Sequence, residues 1–226
     1  VAGDVVRVFR QGHLEASFTN YPGPIKLVGV DGDDVYAVTD EPAVIVVDAI
    51  DAPARRRIFH AGTKPISDVR FDRDRGQILA ASWDQFLYVW DAATGSLVRK
   101  LEGAGPLHAI RMSPDGALAI GVGGISPTIW DRTTGAQLGQ LEGHSDAVRN
   151  GEFLDDRIFI SIAANHIALV WDVQAARALT TFHDVGSLVS SPDRRWVALI
   201  GPTGVRVWSP RFPVPDLDGL PVISPQ

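Results

Sequence analysis

The sequence predicts an all-β chain assembled from a repeated unit of four short antiparallel strands. Three observations carry that prediction. Apolar marks recur at a spacing near 40 residues, each period breaks into short apolar runs separated by turn residues, and no stretch of the 226 residues shows a helical period.

The register is clearest in the middle of the chain. Trp90-Asp91-Ala92-Ala93-Thr94-Gly95 leads to Leu101-Glu102-Gly103, and Trp130-Asp131-Arg132-Thr133-Thr134-Gly135 leads to Leu141-Glu142-Gly143-His144. Trp171-Asp172 leads to Leu179-Thr180-Thr181-Phe182-His183, and the three tryptophans stand 40 and 41 residues apart. The register extends both ways. Trp208 follows by 37 residues, Val47-Asp48 precedes Trp90 by 43, and Phe9 precedes Val47 by 38.

Within a period the runs read as strands. Before Trp130, Ala109–Met112 is a first strand, stopped by Ser113-Pro114-Asp115-Gly116, where Pro presets φ and Gly tolerates φ > 0. Ala117–Val122 is a second strand, ended by Gly123-Gly124, the run to Trp130 is a third, and Gln137–Leu141 is a fourth. Turn residues recur at Asp72 to Gly76, at Asp155-Asp156 and at Ser191-Pro192-Asp193. Such a four-stranded sheet cannot bury both of its faces alone. Radial stacking buries them against neighbours, which predicts a β-propeller over residues 1–210 with marks near 9, 47, 90, 130, 171 and 208. Residues 211–226 form a Pro-rich C-terminal tail, with one outer strand conceivable around Leu220 to Ile223.

The Trp-Asp pairs at 90–91, 130–131 and 171–172, with Gly143-His144 ahead of the last, resemble the WD-repeat family. The resemblance covers about residues 1 to 210 and is most specific from Ala61 to Asp172. It implies that each sheet is pinned by a bonded set of His, Ser or Thr, Asp and the third-strand Trp. In the unit ending at Trp171 the set is His144, Ser161 and Trp171, with Asn165 where the Asp belongs. The unit ending at Trp90 has Asp84, with Gly62 at the His position and His60 two residues away. The unit ending at Trp130 has Gly124 and Ala104 instead, and Trp208 marks the last unit. None of the sets is complete, so apolar packing is expected to carry more of the stability. The resemblance also implies seven blades. About six are represented, and the entry at Gly3-Asp4 leaves the first without its inner two strands, so one to two upstream blades are expected to be missing. The alternative is a six-bladed ring in which residues 4–18 pair with the last blade.

Composition sets the function classes. With 45% hydrophobic and 21% charged residues and a net charge of -6, nothing suggests the clustered basic surface of a nucleic-acid binder. The absence of cysteine removes disulfides, thiolate metal sites and thiol nucleophiles. No apolar run approaches bilayer length, and no signal-peptide pattern opens the chain, so no membrane association and a cytoplasmic location are the expectations. Three lysines among 21 basic residues suggest a GC-rich, bacterial source.

Candidate contacts come from the end of the sheets that the resemblance treats as the binding face. Trp83 immediately precedes Asp84 in such a turn, and Trp is enriched in interface hot spots. His108, Arg149 and His166 align near the same end. The alternative, favoured at each position, is packing on the sheets for Trp83 and a solvated or locally bonded side chain for His108, Arg149 and His166. Trp196, inside Trp196-Val197-Ala198-Leu199-Ile200, reads as core, and Arg55-Arg56-Arg57 reads as a charged outer strand. The six histidines (13, 60, 108, 144, 166 and 183) have no zinc-like spacing, and Gly121-Val122-Gly123-Gly124 is followed by no phosphate-loop Lys. The expected function is a non-catalytic protein-interaction scaffold or sensor module, without cofactor or metal. Its partners would be other proteins or domains of the same polypeptide. The alternatives are a ligand-binding or hydrolytic site in a central channel, and an oligomerisation unit.

Overall fold

A computed structural model describes residues 4–40, 43–52, 55–62 and 64–209. The described residues form strands and turns and no helix, in two compact units, Val1–Glu102 and Gly103–Gln226.

In the first unit β1 (Val6–Arg10) and β2 (His13–Phe18) form a two-stranded sheet. Then β3 (Ile25–Asp31), β4 (Asp34–Asp40), β5 (Ala43–Ala49) and β6 (Arg56–His60) form one four-stranded sheet. A second is built from β7 (Ile66–Asp72), β8 (Gln77–Ser82), β9 (Phe86–Asp91) and β10 (Leu97–Glu102). In the second unit β11 (Ala109–Met112), β12 (Leu118–Val122), β13 (Thr128–Asp131) and β14 (Gln137–Gln140) form a sheet. The strands β15 (Val148–Phe153), β16 (Ile158–Ala163), β17 (Ala168–Asp172) and β18 (Arg177–Phe182) form the next. The last sheet has β19 (Ser187–Ser190), β20 (Val197–Gly201) and β21 (Gly204–Trp208). Every pairing is antiparallel and follows chain order, so each sheet is a meander. The four strands expected before and after Trp130 are thus present almost residue for residue. The proposed tail, 211–226, lies outside the described residues.

Alternation decides how the sheets stack. Along β16, Phe159 belongs to the core shared with the β11–β14 sheet, while its neighbours Ile160 and Ile162 belong to the core shared with the β19–β21 sheet. Successive side chains point to opposite faces, so a continuously apolar strand is what a sheet buried on both sides requires. In the first unit Val38, Ile45 and Phe59 pack against Val69, Ile78 and Trp90. The third-strand tryptophan faces the preceding sheet each time it can be followed within a unit. Trp90 meets Phe59 with ring centroids 5.9 Å apart, and Trp208 meets Phe182 at 5.4 Å.

The motif Trp-Asp-x-x-Thr-Gly has a local physical cause. Asp91 accepts the Ala93 N–H, the Thr94 N–H and the Thr94 hydroxyl at 3.0, 2.7 and 2.8 Å, closing the turn to the fourth strand. Those bonds hold its carboxyl below the usual range, the Thr94 N–H contributing most. Asp131 repeats the arrangement with Thr134. The glycines that follow, Gly95 and Gly135, have φ of 74° and 79°, where a side chain would be strained. In the third copy Ala176 occupies that position at φ 48°.

A β-bulge in the pairing of the third and fourth strands confirms how the marks align. The register slips by one residue at Val8/Phe9, at Leu97/Arg99 beside Trp90, at Ile129/Trp130 and at Val170/Trp171. Phe9 therefore sits in the tryptophan register. It is 61% exposed, because no strand precedes β1 among the described residues to cover that face. Trp196 differs from expectation. It precedes β20, held by the Ser191 hydroxyl in the turn, and is 51% exposed rather than buried.

Candidate functional site

The turns joining second to third strands depend on how the chain is fastened where it enters each sheet. Among the described residues, the sheet ending at Trp171 is fastened through a histidine. His144 Nε2 lies 2.7 Å from Ser161 Oγ, which also accepts the Trp171 indole N–H at 2.7 Å. Asn165 turns away, donating to Ser145 Oγ at 3.2 Å, and His144 Nδ1 is buried with no partner. Burial holds the His144 pKa down at about 4, so the ring is neutral and structural.

In three other sheets the residue two before the mark does this work. The Tyr88 hydroxyl donates to Asp84 Oδ2 at 2.6 Å and accepts from the Gly62 N–H. A Cβ added to Gly62 would fall on Asp84 and Tyr88, so the aromatic ring has taken the space of the absent imidazole. Thr128 Oγ1 accepts the Ala104 N–H at 3.0 Å. Arg206 donates to the His183 and Asp184 carbonyls. In the register of Tyr88, Thr128 and Arg206 the histidine-bearing sheet has Leu169, which has no polar group to offer. Sequence inspection missed this exchange because it sought substitutes at the His and Asp positions and not across the strand.

These fastenings pin the turns by their backbones and leave side chains outside. The Trp83 N–H donates to the Pro65 carbonyl at 3.0 Å, and the ring is 50% exposed. In the second unit Arg149 is the unpaired residue of a bulge between Val148 and Asn150 and is exposed. The Val148 N–H bonds the Gly124 carbonyl at 2.6 Å, bringing that bulge against the turn that carries Ile125. Ile125 is 56% exposed and was missed, since its position after Gly123-Gly124 reads only as a turn. His166 is exposed in the next turn at φ 63°, and Gln85 takes φ 72° at the same place after Asp84. His108 is half-buried, its N–H on the Val122 carbonyl. Among the described residues no three His, Asp or Glu side chains gather in a way that could hold a metal ion.

The charged outer strand is largely committed to the fold. Arg56 bonds the buried carboxylate of Asp48 through Nε and Nη2 at 2.6 and 3.0 Å, and Tyr21 donates to the same group. Arg57 reaches Asp34 at 2.7 Å.

Residues 54–91 match the family described as WD domain, G-beta repeat. The matched stretch is a WD repeat. Pre-mRNA-processing factor 17 of Homo sapiens is 24% identical over 152 residues, covering 63% of this chain and 26% of that protein. Small ribosomal subunit protein RACK1y of Oryza sativa subsp. japonica is 31% identical over 114 residues, 49% of this chain and 34% of that protein. Guanine nucleotide-binding protein subunit beta of Saccharomyces cerevisiae is 27% identical over 130 residues, 53% of this chain and 30% of that protein. The matched stretches thus span about a quarter to a third of these relatives' lengths. Four of the described sheets are four-stranded antiparallel meanders consistent with WD blades, and the turns carrying Trp83, Ile125 and His166 join second to third strands in three of them.

Proposed function

We propose that this chain is a non-catalytic protein-interaction module, cytoplasmic, that binds a protein partner through the turns joining second to third strands. The observation that carries the reading is Trp83, a large ring half outside on a backbone pinned from behind. A rigid anchor of this kind loses little conformational entropy on binding. Ile125 and the bulged Arg149 give the second unit its own apolar and cationic contacts. Support also comes from the relatives' names, which describe a small ribosomal subunit protein, a cofactor of the APC complex and a subunit beta, all components of assemblies. The partner would be another protein or a further domain of the same polypeptide.

The test is affinity capture with quantitative mass spectrometry, comparing the wild type with Trp83→Ala and Ile125→Asp. Each substitution should deplete a specific partner by roughly tenfold or more, as loss of a hot-spot residue does, with the melting temperature within a few degrees of wild type. A large fall in melting temperature for Trp83→Ala would make the ring core, and capture unchanged in both variants would refute the reading.

A further inference from the structure

Within each unit, a groove opens between neighbouring sheets at the end opposite the proposed binding turns, where first meets second strand and third meets fourth. In the first unit the groove between the β3–β6 and β7–β10 sheets is lined by Asp34, Arg57, Phe71, Gln77 and Ala92. The chain fills it with its own arginine. Arg57 pairs with Asp34 at 2.7 Å and donates to the Ala92 carbonyl of the next sheet at 3.0 Å, leaving about 170 Å³.

In the second unit the groove between the β11–β14 and β15–β18 sheets has the same construction and no such arginine. Its outer strand offers Leu138, which is 56% exposed, in place of a guanidinium. Val173 stands two residues after its tryptophan, as Ala92 does after Trp90. The cavity measures about 440 Å³ and is lined by Leu118, Ile129, Leu138 and Val173 together with Asp156 and Asp115, whose Oδ1 accepts the Ser113 hydroxyl and the Ala117 N–H. The two acidic turns are locked together, the Asp115 N–H donating to Asp156 Oδ1 at 2.8 Å. No cation of the described residues forms an ion pair with Asp156. A carboxylate so placed discriminates by charge, while the apolar lining supplies burial.

We propose that this groove docks a short segment of a protein partner bearing an arginine beside a bulky apolar side chain. The guanidinium sits at Asp156, and the apolar side chain covers Leu118, Leu138 and Val173. The site is separate from the turns proposed above and stands or falls independently of them.

Titration of methyl-labelled full chain with the capped peptide acetyl-Gly-Phe-Arg-Gly-Ser-amide, followed by NMR, tests the proposal. The methyl resonances of Leu118, Leu138 and Val173 should shift at millimolar peptide, with a dissociation constant of about 1 mM. Replacing Arg by Glu in the peptide, or Asp156→Asn or Leu138→Ser in the protein, should weaken binding by about fivefold or more. Thermal melting checks that both variants fold, and either one suffices if the other does not. Unmoved groove methyls up to about 10 mM peptide, or the same affinity for the Phe-Glu peptide, would overturn it.

Discussion

At the scale of the residue, His144 shows what one missing carboxylate does. Its Nε2 is satisfied by Ser161, while Nδ1 is buried and orphaned because Asn165 bonds Ser145 instead. A buried polar atom without a partner costs about 1–3 kcal/mol. Asn165→Asp supplies an acceptor where the family places one, and should raise unfolding free energy by about 1 kcal/mol in urea denaturation. Ser161→Ala orphans both His144 Nε2 and the Trp171 indole, and should cost roughly 2–4 kcal/mol by the same assay. His144 also gives a pH signature. Its pKa is held near 4 in the fold against 6.5 when unfolded, so the unfolded chain binds the extra proton first. The His144 contribution is complete above pH 6.5 and is lost as pH falls from about 6.5 towards 4. The slope in that window should shrink in His144→Gln, measured by urea denaturation at stepped pH. Ala176 is a second local misfit, with φ of 48° where the other copies have glycine. Relief of left-handed strain, offset by the greater freedom of unfolded Gly, predicts about 0.5–1 kcal/mol of stabilisation for Ala176→Gly.

At the scale of the element, each strand's burial follows from its place in its sheet. The third-strand tryptophans look alike in sequence but differ in what their indoles find. Trp171 donates to Ser161, whereas the register of Ser161 is held by Leu199 in the last sheet, and the Trp208 indole N–H is buried without a partner. Trp208→Phe should therefore cost less than Trp171→Phe, by roughly 1–2 kcal/mol, because it deletes a donor that is already unsatisfied. The outer strand β6 holds two arginines that are easily misread as a free basic patch. Arg56→Ala strips the main partner from buried Asp48 and leaves Tyr21, so a loss of roughly 2 kcal/mol is expected, below that of a fully broken buried pair.

At the scale of the molecule, stability is carried by neighbouring sheets within each unit. Such arrays behave as sums of local sheet and interface terms. Phe59→Ala opens the interface between the β3–β6 and β7–β10 sheets, where a large core truncation costs about 3–5 kcal/mol. Native-state hydrogen exchange should show the loss in those strands and leave β15–β21 nearly as protected as before.

The pattern of apolar marks and turn residues was enough to place the strands around Trp130 and to assign Phe9 to the tryptophan register. Strand period, turn chemistry and repeat length are local properties, written in consecutive residues. The Asp-x-x-Thr-Gly closure at Asp91 and Asp131 is local for the same reason. Other features needed the tertiary structure. Trp196 alternates as core would, yet stands half outside beyond the start of β20. The replacement of a histidine by Tyr88, Thr128 or Arg206 joins atoms 22 to 26 residues apart, across a strand pairing that spacing alone does not reveal. The acidic groove beside Leu138 depends on two turns 41 residues apart meeting through one hydrogen bond. Sequence by itself determined the repeat and its strands, because these depend on neighbours along the chain. Which polar groups found partners, and which side chains were left facing outward, was decided only where one sheet met the next.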